Sequence, residues 1–131
     1  MKRSRFIVHL LWIQGIYYAL TATWPLVHID SFMMATGPKQ DIWLVKTVSV
    51  LILCMSLALL YGACYNTDYR LIRLIAASAA LGLMVIDVWY YLQGVIKWVY
   101  LLDAFTELVL IACWCMHKIP RSQLFRNSSR Y

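Results

Sequence analysis

Asp103 and Glu107 stand four residues apart inside Val95 to Met116, a run otherwise apolar enough to span a bilayer. At that spacing on a helix the two carboxyl groups share one face. A carboxylate in hydrocarbon costs at least about 2.5–3.5 kcal/mol on the gentlest insertion scale, so a pair on one face must turn toward protein, water or a cation. Two further charged residues lie at comparable depth: Lys46, early in the second apolar run, and Asp87, late in the third. With Lys46 as the one base opposite three acids, the excess negative charge calls for a bound cation or for a proton on the deepest acid, Glu107. Three chemistries follow. Asp103 and Glu107 could exchange protons as an acid/base pair, the excess charge could hold a cationic or amine-bearing ligand, or the network could fix helix register. No nucleophile, metal set or oxyanion donor accompanies the acids, which sets binding above catalysis; the main alternative is a structural or accessory subunit of a membrane complex, and an enzyme doing proton-transfer chemistry on a lipid-like substrate comes third.

The elements that position these residues are readable from apolar length. The chain has 131 residues, 63% of them hydrophobic and 14% charged, with a mean hydropathy of +0.67. That composition excludes a soluble domain of this size and leaves room for one domain, residues 1–131. Phe6 to Val27, Ile42 to Tyr65, Leu71 to Tyr91 and Val95 to Met116 each meet the length of a membrane span, and runs this long are helical. The fold class expected is therefore all-α, an integral membrane four-helix bundle. Lys2, Arg3, Arg5, Arg70, Arg73, Lys118, Arg121, Arg126 and Arg130 fall on one side, against Lys39, Lys46 and Lys97 on the other. Nine against three places both termini in the cytoplasm, within a plasma or inner membrane. The net charge of +6 has no interleaved basic and aromatic face, so nucleic acid is not expected as a partner. The first run follows a basic leader but is too long for a signal region and lacks a small-residue cleavage site, so it reads as a retained span.

Within the first span, Gln14 shares a face with Tyr17 and Tyr18, either as a hydrogen-bonding cavity wall or as interhelical glue, while Gly15 permits close helix approach. Trp24-Pro25 marks its end. The connection from His28 to Gln40 suggests a short amphipathic helix capped by Ser31 and ended at Thr36-Gly37-Pro38, lying on the surface or over the bundle mouth, with Asp41 capping the next span. Trp43 marks the interface, and Lys46 either snorkels to headgroups or pairs inward with Asp87 or Asp103. Ala76, Ala77, Ala79, Ala80 and Gly82 form a small-residue surface suited to close packing, within the chain or against a partner membrane chain or second copy. Gln93-Gly94 is expected to turn the chain directly into the fourth span.

No cofactor is expected. Cys54, Cys64, Cys113 and Cys115 contain no C-x-x-C couple and read as small packing residues. His28 and Asp30 lack a third ligand for a metal, and His9 and His117, the pair that could clamp a haem, lie at an interface beside basic residues.

The stretch Thr36-Gly37-Pro38-Lys39-Gln40-Asp41-Ile42-Trp43-Leu44-Val45-Lys46-Thr47-Val48, the short first span, the long second helix and the intrahelical acids together resemble the DoxX-like small four-helix membrane proteins and, more remotely, EXPERA-type bundles. The resemblance implies a cavity between helices, open toward one leaflet and suited to an amphiphile. The paired acid, histidine and tryptophan set of the sterol isomerases among the EXPERA-type bundles has no counterpart here, so no catalytic residue is carried over. The binding site expected comprises Lys46, Asp87, Asp103 and Glu107, walled by Trp43, Trp89, Tyr90 and Trp98, with Gln14 and Tyr18 behind them. Its expected partners are membrane lipids and a small amphiphilic or amine-bearing ligand.

Overall fold

The computed structural model describes residues 5–65 and 69–116. They form five helices: α1 Arg5–Val27, α2 Ile29–Thr36, α3 Ile42–Cys64, α4 Tyr69–Leu92 and α5 Val99–Met116. There is no strand among the described residues. α1, α3, α4 and α5 are each long and apolar enough to cross a membrane, as the sequence predicts. Large parts of their surfaces stay exposed: Leu20, Leu51, Leu74 and Phe105 all point away from the protein, the arrangement hydrocarbon solvent favours over water. Asn66, Thr67 and Asp68, where the sequence suggests a tight turn with capping residues, lie outside the described residues, as do residues 1–4 and 117–131.

The long helices pack in two main pairs, α1 on α3 and α4 on α5. Gly15 sets the first pair, because a β-carbon there would come within 2.7 Å of Leu60 Cδ2. Ser56 Oγ fastens the same crossing by donating to the Gly15 carbonyl at 2.7 Å. The buried core gathers Leu10 and Leu11 of α1, Leu59 and Ala63 of α3, Ile72 and Ala76 of α4, and Leu110 and Trp114 of α5. All of these lie toward the end where α1 begins and α5 finishes, here the tail end. Ala76 and Ala80 are fully buried, so this part of the small-residue surface is used within the chain.

At the opposite end, the α2 end, the helices are tied by loops. α2 is capped by His28, whose Nδ1 accepts from the Ser31 amide at 3.2 Å, rather than by Ser31 itself. Ser31 is engaged elsewhere: its hydroxyl accepts from Trp24 Nε1 at 2.8 Å, and Phe32 meets the Trp24 ring edge-on. Gly37, at φ 98°, ends α2 against the Lys97 stem. Asp41 holds the cap position of α3 but caps through its carbonyl, which accepts from the Leu44 and Val45 amides, and not through its side chain.

The fourth span starts later than its apolar run. Val95 N bonds to Tyr90 O at 3.0 Å and Gly94 N to Tyr91 O at 2.9 Å, a Schellman closure with Gly94 at φ 70°. Residues 93–98 form the connection and α5 begins at Val99, so Val95, Ile96, Lys97 and Trp98 belong to the loop. Hydropathy could not separate these residues from the helix that follows, because Val95 and Ile96 are as apolar as a span.

Candidate functional site

Near the middle of α1, Gln14 is fully buried and every polar atom of its amide is engaged. Its Nε2 donates to Ala76 O at 2.9 Å and to Tyr18 Oη at 3.1 Å, while its Oε1 accepts from Trp114 Nε1 at 2.8 Å. The indole N–H only donates and the carbonyl only accepts, so the two neighbours fix which way the amide points. Gln14 thereby ties α1 to α4 and α5 at one point. Of the two readings the sequence left open, the geometry of glue is what this residue has.

Tyr18, accepting from Gln14, is left with its own hydroxyl proton to give, and donates it to Glu107 Oε2 at 3.0 Å. One residue earlier on α1, Tyr17 donates to Asp103 Oδ1. Asp87 comes up from α4 beside Asp103, with Glu107 nearby. The α-helical spacing of Asp103 and Glu107 matches the adjacent pair Tyr17 and Tyr18, so each tyrosine meets one carboxyl group. Three of the chain's six acidic residues are thus gathered on the faces that α4 and α5 turn toward α1. Glu107 is 0% exposed and Asp87 7%, while Asp103 is partly accessible.

The donors do not suffice for the acceptors. Asp87 Oδ2 and Glu107 Oε1 are buried with no hydrogen-bond partner. A buried acceptor without a donor costs about 1–3 kcal/mol, more when charged, so these two oxygens are the least satisfied atoms of the site. Among the described residues no ion pair joins a basic side chain to the three carboxyl groups, and no three His, Cys, Asp or Glu side chains stand close enough to ligate one metal ion.

Lys46 is exposed on α3 and makes no ion pair with the acids. α3 packs on α1 and only lightly on α4, so the side of α3 bearing Lys46 faces outward and its stem is free to reach the headgroups. Trp43, Trp89, Tyr90 and Trp98 are exposed at the α2 ends of their helices or in the loop, an aromatic belt in position rather than a wall around the carboxylates. Of the residues expected at the site, the structure therefore brings together Asp87, Asp103, Glu107, Gln14 and Tyr18. Sequence reasoning missed Trp114 as a member. Its indole lies in the last turn of a span, where the interface accounts for a tryptophan equally well. Cys54, Cys64 and Cys115 are exposed and Cys113 half-buried, and no disulfide joins any of the four. His9 is exposed with Nδ1 2.6 Å from Arg5 O; His117 lies outside the described residues.

On the far side of Tyr18 from Glu107 lies an apolar groove of about 350 Å³, which none of the three carboxyl groups lines. Ile52 and Met55 of α3 and Leu83 and Ile86 of α4 form its walls, and the ring of Tyr18 its floor. It exists because α3 and α4 meet at the tail end, where Leu59, Ala63, Ile72 and Ala76 share the core, and part toward the α2 end. Tyr18 belongs to both features, its ring facing the groove and its hydroxyl facing Glu107.

Protein-family models, characterised proteins and solved structures were all compared with this chain, and none matches.

Proposed function

We propose that this protein binds a small amphiphilic amine, with the ammonium group at Asp87 and Glu107 in the carboxylate cluster and the apolar part in the groove between α3 and α4. The observation that carries the reading is the pair of buried carboxyl oxygens, Asp87 Oδ2 and Glu107 Oε1, which lack any donor from the protein. An excess of acceptors beside an apolar cleft calls for an occupant that is cationic at one end and apolar at the other. A cleft of about 350 Å³ falls at the lower end of the volumes that small-molecule sites have. The frame for this function is a four-helix bundle in a plasma or inner membrane with both termini in the cytoplasm, supported by nine basic residues on the tail side against three on the α2 side. On that orientation the groove opens into the outer leaflet. The resemblance to DoxX-like proteins read from the sequence implies a cavity of this kind, and no residue role is taken from it.

Native mass spectrometry of the protein released stepwise from a mild detergent tests the reading. A retained small-molecule adduct that disappears in Glu107→Gln is the expected result. A bare chain, alone or as a homo-oligomer, would redirect attention to partner membrane chains, for which the small-residue part of α4 around the half-buried Ala77 and the exposed Gly82 would be the contact.

A further inference from the structure

Two facts about the carboxylate cluster bear on which cations it takes. The first is the state of its acceptors. Tyr17 serves Asp103 and Tyr18 serves Glu107, but Asp87 Oδ2 and Glu107 Oε1, on side chains 7% and 0% exposed, receive nothing. Charge alone does not satisfy such atoms, because an oxygen removed from water loses hydrogen bonds as well as solvation, and only a donor restores them. The second is the aromatic environment. Recognition of a quaternary ammonium rests on aromatic faces turned toward the cation. Tyr17 and Tyr18, the aromatic residues bonded to the cluster, present hydroxyl groups to it, and the exposed Trp43, Trp89, Tyr90 and Trp98 stand at the helix ends.

We propose that the site selects cations carrying N–H donors, primary or secondary ammonium groups, and rejects quaternary ammonium groups on the same chain. The unpaired oxygens lie on α4 and α5, so a primary ammonium, with three N–H bonds diverging from one nitrogen, bridges the two helices. A trimethylammonium brings the same charge, a larger radius and no donor, and leaves both oxygens as they are. This selectivity rests on the amine-binding reading, and the experiment separates the two.

The protein in phosphatidylcholine nanodiscs is titrated with radiolabelled dodecylamine and, separately, with dodecyltrimethylammonium, with empty nanodiscs subtracted in each case. Saturable binding of dodecylamine with dodecyltrimethylammonium on the order of a hundredfold weaker is the expected result, of the kind seen where a wrong ligand leaves buried polar groups unpaired. Glu107→Gln, which keeps an acceptor for Tyr18 and removes the charge, should bring dodecylamine down toward the quaternary compound. Equal affinity for the two compounds would overturn the donor requirement and leave the amine site standing. Absence of saturable binding for both would remove the amine site and the selectivity with it. The ligand comparison uses the unaltered chain, so a folding defect in the variant cannot obscure its outcome.

Discussion

The two ends of this protein solve the same problem, polar side chains among apolar helices, in opposite ways. On the tail side of Tyr18, near the middle of α1, Gln14 is enclosed by Tyr18, Ala76 and Trp114, and the surrounding helices close on it. Toward the α2 end three carboxyl groups meet two tyrosine hydroxyls, two of their oxygens go without a donor, and α3 and α4 part to leave a groove. A satisfied buried network holds helices in register; an unsatisfied one raises the energy of the empty protein and leaves room for something to lower it. The difference teaches which polar residues belong to the frame and which to the function.

The largest effect expected is from breaking the closed end. Gln14→Leu leaves the Trp114 indole N–H without an acceptor and removes donors from Ala76 O and Tyr18. Interhelical hydrogen bonds in membranes average about 0.6 kcal/mol with a maximum near 1.7, and a buried donor left unpaired adds about 1–3 kcal/mol, so a loss of roughly 2–4 kcal/mol is expected. The midpoint of unfolding in a denaturing detergent titration measures it. A loss no greater than that of Glu107→Gln would erase the distinction between the two ends.

Gly15→Val comes next. The branched side chain would press on Leu60 at the closest approach of α1 and α3 and displace the Ser56 bond to the Gly15 carbonyl. Overpacking of this kind costs about 1–3 kcal/mol, and Gly15→Ala should cost less because the Leu60 side chain can turn aside. Graded unfolding midpoints across the glycine, alanine and valine proteins test this order; identical midpoints would mean that the α1 and α3 pair tolerates separation.

Glu107→Gln sharpens the comparison from the other end. The amide oxygen still accepts from Tyr18, and a buried ionisable group without a protein counterion is replaced by a neutral one. Stability should therefore change by less than about 1 kcal/mol, in contrast to Gln14→Leu, while the adduct is lost. A strong destabilisation would assign the carboxylates to the frame.

The frame was largely legible in the sequence and the site only in part, for one geometric reason. Apolar length gives the spans, and position along a span gives depth, so Asp87, Asp103 and Glu107 could be placed at neighbouring heights from residue numbers alone. Depth does not give the direction in which a side chain leaves its helix. α3 is apolar on nearly every side, so nothing in its pattern says that Lys46 faces outward, and the same holds for Trp43. Gln14 and Trp114 meet across a sequence separation of 100 residues through a packing that no local signal encodes. The start of α5 escapes the sequence for a different reason: Gly94 marks the stop, but the apolar residues after it disguise a loop as a span.

The smallest effect on stability, and the most telling one on function, belongs to Gly82. A β-carbon built there meets nothing within 4 Å, since the residue faces the groove and not a neighbouring helix. A glycine in the interior of a helix costs roughly 0.5–1 kcal/mol relative to alanine, so Gly82→Ala should raise stability by up to that amount. Gly82→Leu should keep most of the gain while its side chain occupies the space between Ile52, Met55, Leu83 and Ile86. A groove that serves a ligand then yields a protein at least as stable as the original that no longer retains its adduct. Retention of the adduct in Gly82→Leu at full occupancy would separate the groove from the carboxylates and confine the ligand to the polar cluster. Loss of stability would instead require α3 and α4 to close on one another in the membrane, and the contrast between a closed and an open end would then belong to the isolated chain alone.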